Sequence, residues 1–159
     1  MSLVGIGFDS HRLVGGRRLV IGGVEIPHEL GLDGFSDADV LVHALIDALL
    51  GAAGMGDIGQ HFPDSDERWR DADSIELLRE VLAKLAAREL TLVNVDCTVL
   101  MEQPKLAPHR EAIRTRLAGV LALAPERVNV KASTGERIGF VGRGEGVAAL
   151  AVASVQAAD

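Results

Sequence analysis

The spacing of hydrophobic and polar positions changes several times along the chain. Leu3 to Phe8 is a short run that reads as a strand. Arg18-Leu19-Val20-Ile21 and Val24-Glu25-Ile26 flank Gly22-Gly23. Paired glycines supply the positive φ of a tight turn, so this stretch predicts a β-hairpin. A polar loop follows to Ser36. From Asp37 to about Gly51, Val40, Leu41, Ala44, Leu45, Ala48 and Leu49 recur at helical spacing, with Ser36 the expected N-cap. Gly54 to Ala72 shows no period, and a loop of that length in a small domain is usually functional or mobile. A second helix is predicted from about Asp73 to Glu89, with Leu78, Val81, Leu82 and Leu85 inward and Asp73 and Glu76 at capping-box spacing.

Leu92 to Met101 is rich in β-formers and reads as a strand. Pro104 and Pro108 mark a turn into a third helix, whose Ile113, Leu117, Val120 and Leu121 face the core. Val128 to Ala132 and Val147 to Val155 are two more strands, joined by a glycine-rich connection. The expected class is α+β, a two-layer sandwich. A mixed sheet of about four to five strands is covered on one face by about three helices. Val147 to Val155 hardly alternates, which predicts burial on both faces, the second by another subunit.

Composition narrows the partners more than the fold. A chain of 159 residues fits a single domain over 1–159 and buries about two-thirds of its unfolded surface. With four Phe, one Trp and no Tyr, the core must be aliphatic. A net charge of −7 opposes nonspecific nucleic-acid binding while leaving room for a local anion pocket. Cys97 is alone, so no intrachain disulfide forms. No stretch reaches the roughly 18 apolar residues of a membrane span. A soluble cytoplasmic protein is expected, with neither nucleic acid nor membrane as partner.

Two groups of residues carry candidate chemistry. Asp9 and His11 lie two apart on a predicted strand and so point to one side. Asp39, His43 and Asp47 form a polar stripe along the first helix. Two imidazoles and a carboxylate make three protein ligands of a tetrahedral zinc site with an open fourth position, and a nearby carboxylate can fix a ligand's tautomer. A solvated helix edge accounts equally well for Asp39 and Asp47, and a surface histidine for His43. The second group is Lys131 to Gly146. Ser133 and Thr134 offer donors to phosphate oxygens, Glu136 offers a carboxylate to a hard cation, and Arg143 stands between glycines. It is neither a Walker A loop nor a dinucleotide fingerprint, and an ordinary glycine-rich connection fits it too.

Taken together, the segments resemble the 2-C-methyl-D-erythritol 2,4-cyclodiphosphate synthase family. The matching stretches are Gly7 to His11, Ser36 to Gly51, Gly56 to Gly59, His61 to Asp66, Pro104-Lys105 and Gly139 to Gly146, in family order over nearly the whole chain. The resemblance implies zinc on Asp9, His11 and His43. It places Asp57, Ile58 and Gly59 against the methylerythritol hydroxyls, with Phe62 to Asp66 in the same mobile loop. Met101, Lys105, Leu106 and Ala107 would frame the cytosine, largely through backbone groups. Ser133, Thr134, Gly135 and Glu136 would hold the diphosphate with magnesium or manganese, Glu136 being the metal's carboxylate. Phe140 and Arg143 match positions near the substrate or the oligomer axis. Asp9, His11, Phe35 and Ser36 also border the substrate, and Thr134 and Ser36 are the expected catalytic donors.

The family is a homotrimer with active sites between subunits, acting on a CDP-linked substrate by intramolecular phosphoryl transfer with release of CMP. One position departs from it. Where the family often has His before Ser-Asp, this chain has Phe35. The resemblance therefore implies that a donor to the diphosphate is missing there. A phosphate-binding regulator on the same scaffold would have lost Asp9, His11 or His43. A zinc hydrolase would need a general base, for which Asp57 is the only candidate.

Overall fold

Strand β1 (Ser2–Gly15) is twice as long as the apolar run that announces it, for a structural reason. Its helix-facing positions beyond Leu3 are Gly5, Gly7, Asp9 and His11, so the inward side carries no apolar period. It pairs antiparallel with β7 (Gly146–Ala157) in unbroken register from Ser2 opposite Gln156 to Arg12 opposite Gly146. Beyond that, Leu13 to Gly15 pair with β4 (Leu30–Leu32), which lies within the stretch expected to be a polar loop. The hairpin of β2 (Leu19–Ile21) and β3 (Val24–Ile26) forms as predicted, with Gly22 and Gly23 at φ of 61° and 73°. It makes a separate two-stranded sheet.

The computed structural model describes residues 1–157. After the hairpin come α1 (Val40–Ala52), α2 (Ile58–His61), α3 (Ser74–Ala86), β5 (Leu90–Leu100), α4 (Arg110–Leu121), β6 (Val128–Ser133) and α5 (Gly139–Gly142), before β7. The main sheet has the order β4-β1-β7-β5-β6, antiparallel except for the β5–β6 pair. This is the expected α+β class, a mixed sheet with helices, in which the fifth strand is β4 and the hairpin stands apart.

Helix α1 begins at Asp39, not Ser36. The Asp39 carboxylate is fully buried and accepts the Val42, Gly22 and Gly23 N–H groups at 3.0, 2.9 and 2.7 Å. It therefore caps the helix and pins the hairpin turn to it. Burial, then the charge of Asp37, push its pKa up to about 6 against those three donors. The helix is apolar almost all round. Leu41, Leu45 and Leu49, and Val42, Ile46 and Leu50 on other faces, are all fully buried. It is the central helix of the core, wedged between the sheet and α3. At α3 the predicted capping box is half made. Asp73 accepts from Ile75 N–H, while the Glu76 side chain turns to Arg79.

Within one chain only one of the two faces of β7 is covered. Val147, Ala149, Ala151, Ala153 and Val155 are buried under the helices, but Val152 on the other face is 40% exposed. Its neighbours on β1, Val4, Ile6 and Phe8, are 66%, 69% and 54% exposed. Because Ile6 faces Val152 and Phe8 faces Leu150, these side chains form one apolar patch on the open face of the sheet.

Candidate active site

Close packing of β1 on α1 creates the first cluster. A Cβ on Gly5 would meet the Ala48 carbonyl oxygen at 2.0 Å, and one on Gly7 would meet that of Ala44 at 1.8 Å. Only glycine permits this approach, which brings His43 of α1 against Asp9 and His11 of β1. Asp9 Oδ2 lies 2.7 Å from His11 Nε2 and 3.1 Å from His43 Nδ1. The two ring nitrogens are 3.3 Å apart. The Asp9, His11 and His43 side chains are 27%, 17% and 11% exposed, so the cluster has an open side.

His11 Nδ1 donates to the Asp33 carbonyl at 2.7 Å, which directs its Nε2 lone pair at Asp9. Two acceptors face each other at 2.7 Å, an arrangement that calls for a cation between them. In the metal-free chain a proton serves. Burial resists charge on Asp9, but hydrogen bonds and charge from His11 and His43 bring its pKa to about 2. Burial likewise opposes charge on His11, yet the hydrogen bond and charge of Asp9 raise its pKa. A divalent metal also suits the cluster. Two imidazole nitrogens and one carboxylate oxygen, with one side open, are a donor set that could hold such an ion.

The helix carboxylates of the predicted stripe are used elsewhere. Asp39 turns into the hairpin, and Asp47 accepts the Ile58 N–H at 2.8 Å. Neither touches a ligand imidazole. His43 Nε2 instead meets Ser74 Oγ at 2.8 Å and Ser36 Oγ at 3.1 Å.

A pocket of about 360 Å³ opens from the cluster, lined by His11, Phe35, Ser36, His43, Ile58, Gly59, Phe62, Pro63, Asp64, Trp69 and Leu77. The aperiodic stretch that walls it has local structure of its own. Asp57 caps α2 by accepting Gln60 N–H at 3.0 Å. Phe62 packs edge-on against Trp69, ring centroids 5.0 Å apart. Asp66 caps the 67–69 turn, and its carboxylate is taken by Arg68 at 2.6 Å. Phe35 lies four residues before the Asp39 cap, too far to staple the first turn of α1. Its ring instead lies 4.7 Å under the Arg70 guanidinium, and its carbonyl accepts Asp71 N–H.

The second predicted group gathers where β5 and β6 end. Met101 and Leu106 are buried, so only their backbone can meet a ligand, while Lys105 and Ala107 are exposed. Gly135 N–H donates to Glu102 at 2.9 Å, and Glu136 N–H to Thr134 Oγ1 at 3.2 Å. Glu136 has φ of 52° and projects into solvent. The connection to β7 contains the one-turn α5, on which Phe140 is 40% exposed. Arg143 is tied to Glu145 at 2.9 Å.

The two groups share one end of the sheet but not one pocket. Ser10, Ala148, Leu100 and Ser133 form a row across β1, β7, β5 and β6. Three strand spacings separate Ser10 from Ser133, about 14 Å. The pocket at the Asp9 cluster is lined by no residue of Ser133 to Glu136; Thr134 and Gly135 line another, of about 270 Å³.

The profile of the YgbB family matches residues 2–156. The chain belongs to the YgbB family. A curated relative of Alkaliphilus metalliredigens (strain QYMF), named 2-C-methyl-D-erythritol 2,4-cyclodiphosphate synthase, is 57% identical over 152 residues, 96% of each chain. The solved structure of a 2C-methyl-D-erythritol-2,4-cyclodiphosphate synthase in its CDP-bound form superposes with a TM-score of 0.89 at 39% identity, covering 96% of this chain and 99% of that one. The bifunctional IspDF of Campylobacter jejuni gives 0.96 at 42% identity, covering this chain entirely and 43% of its own.

Several residues that shape this YgbB site had no readable signal. Gly5 and Gly7 sit inside a run read simply as a strand, yet they set the distance from β1 to α1. The Asp33 carbonyl is a backbone group and invisible to residue type. Ser74 looks like one more helix-start residue. Trp69 looks like a core aromatic, although its buried Nε1–H has no partner among the described residues.

Proposed function

We propose that this YgbB chain is a 2-C-methyl-D-erythritol 2,4-cyclodiphosphate synthase of the non-mevalonate route to isoprenoids. It converts 4-diphosphocytidyl-2-C-methyl-D-erythritol 2-phosphate to the 2,4-cyclodiphosphate and CMP, acting as a phosphorus–oxygen lyase in the cytoplasm. The observation that carries this reading is the Asp9–His11–His43 cluster opening onto the Phe35–Trp69 pocket. Near-full-length identity to relatives of that name supports it.

An oxygen of the 2-phosphate attacks the β-phosphorus of the CDP arm. The bond from that phosphorus to the bridging oxygen breaks, and CMP leaves with the oxygen. No side chain needs to become a nucleophile, so catalysis rests on positioning and charge neutralisation. Asp9, His11 and His43 would hold Zn²⁺, and Glu136 would hold Mg²⁺ or Mn²⁺ through the diphosphate. Such cations supply charge neutralisation at phosphate oxygens. The hydroxyls of Ser36 and Thr134 and the segment Ser133 to Glu136 donate to the same oxygens. Asp57, Ile58, Gly59 and Phe62 enclose the methylerythritol unit and exclude water. Met101, Lys105, Leu106 and Ala107 frame the cytosine.

The substrate has to bridge both groups of residues, which stand at opposite sides of one chain's sheet end. A homotrimer packed through the open sheet face brings the metal cluster of one subunit to the nucleotide segment of the next. The exposed Val4, Ile6, Phe8 and Val152 support that packing.

The deciding experiment incubates the protein with the CDP-linked substrate, Zn²⁺ and Mg²⁺ and follows phosphorus resonances. Equimolar cyclic diphosphate and CMP are expected. A linear, hydrolysed phosphate would replace this reading with a zinc hydrolase, and an unchanged substrate with a binding protein.

A further inference from the structure

We infer that Ser74, backed by Asp37, is a positioning residue that turns His43 towards the metal. The inference rests on the reading of Asp9, His11 and His43 as a metal centre. Ser74 opens α3, far in sequence from every expected ligand, and is fully buried. Its N–H donates to Asp37 Oδ2 at 3.0 Å, and its hydroxyl makes a short hydrogen bond to Asp37 Oδ1. The same hydroxyl oxygen lies 2.8 Å from His43 Nε2.

The direction of these bonds follows from proton counting. The Asp37 carboxylate accepts the Ser74 N–H and also the Asp39 N–H at 3.1 Å, and has no proton to give. The single hydroxyl proton of Ser74 therefore points to Asp37. Towards His43, Ser74 presents only a lone pair, so the hydrogen between them belongs to Nε2. In the neutral ring that metal ligation requires, this leaves the lone pair on Nδ1, the nitrogen 3.1 Å from Asp9 Oδ2 and 3.3 Å from His11 Nε2. Ser36 Oγ, at 3.1 Å, takes a lesser share of the same N–H and already accepts from Ala38.

Both imidazoles are thus aimed from behind by an acceptor: His11 by the Asp33 carbonyl, His43 by the Asp37-polarised Ser74. Partners of this kind fix ring rotation and ligand basicity, and their loss typically weakens metal binding about 10- to 100-fold. A purely structural Ser74 would satisfy Asp37 at the helix start and leave metal affinity alone.

Ser74→Thr and Ser74→Val separate the two roles, since they differ only in a hydroxyl against a methyl. The assembled protein, stripped of metal, is titrated with Zn²⁺ against a chromophoric chelator, and with Co²⁺ for its absorption spectrum. Thr should bind zinc like the parent, and Val about 10- to 100-fold more weakly with an altered cobalt spectrum. Equal affinities for Thr and Val would overturn the inference. If the added methyl prevents folding, Ser74→Ala against the parent reads the same ratio. A parent that binds no stoichiometric zinc would remove the metal centre itself, and this inference with it; tight parental binding matched by Val removes the inference alone.

Discussion

Gly7 and Ala44 meet backbone to backbone, so tightly that a Cβ on Gly7 would sit 1.8 Å from the Ala44 carbonyl oxygen. His43 immediately precedes Ala44, and Asp9 follows Gly7 by two. The separation of β1 from α1 is therefore also the separation of the ligands, and a residue with no side chain controls both packing and chemistry.

Gly7→Ala should accordingly damage both. The atom it meets is backbone, which cannot rotate away, so we expect a cost of about 3 kcal/mol or more. Calorimetry should show a thermal midpoint lower by about 10 °C. Zinc affinity should fall with it. A variant that melts like the parent would mean that α1 slides freely on β1.

Proton exchange at the cluster sets a pH dependence. His11 has a raised folded pKa, so its contribution to the metal-free chain is full below the ordinary histidine value of 6.5 and fades as pH rises through the folded value. Asp9, lowered from 3.8 to about 2, contributes above 3.8 and loses that contribution as pH falls towards 2. Zinc must displace the His11 proton, so binding at neutral pH should release protons. The gap between melting curves with and without zinc should widen from about pH 5 to 8. A gap that narrows would contradict the assignment of His11. His43→Ala should carry well under one zinc per chain and lose most activity, by elemental analysis and assay.

The open sheet face predicts assembly. Light scattering on the parent should give about three times the chain mass of 16.8 kDa. Ile6→Asp places a charge in the centre of the apolar patch and should yield monomers that bind zinc but turn over no substrate. An active monomer would rule out a site shared between subunits.

The resemblance read from the sequence implies a His at the position of Phe35. A positioned donor to developing phosphate charge is typically worth about 10²- to 10³-fold in rate. The Arg70 guanidinium, 4.7 Å over the Phe35 ring, shows how the position is used here: the ring ties the 67–71 turn to the pocket rim. Phe35→Ala should lower turnover, and Phe35→His should keep or raise it, in steady-state kinetics. An alanine variant equal to the parent would leave this ring without a part in catalysis.

Much of this architecture was legible because the strong periods are local. The α1 stripe, the Gly-Gly hairpin and the α3 and α4 core faces all appear where the pattern put them. Asp9 and His11 share one side as the two-residue strand spacing implied, and His43 joins them as the family resemblance implied. What was not legible depended on tertiary contact. Ser36 was the expected cap, but Asp39 takes that place because the hairpin amides need a buried acceptor. β1 appeared short because its inward side is glycine and ligand rather than hydrocarbon. β7 looked buried on both faces, a feature that one chain cannot supply.

The row from Ser10 to Ser133 has a genetic consequence. On the shared-site reading, each chain lends half of two different catalytic centres, and a lesion in one half leaves the other serviceable. Chains disabled at His43 and chains disabled at Glu136 should then rescue one another when unfolded together and reassembled. In random mixed trimers about one centre in four draws both halves from intact donors. Two dead preparations would produce a live one, with recovery near a quarter of the parental rate.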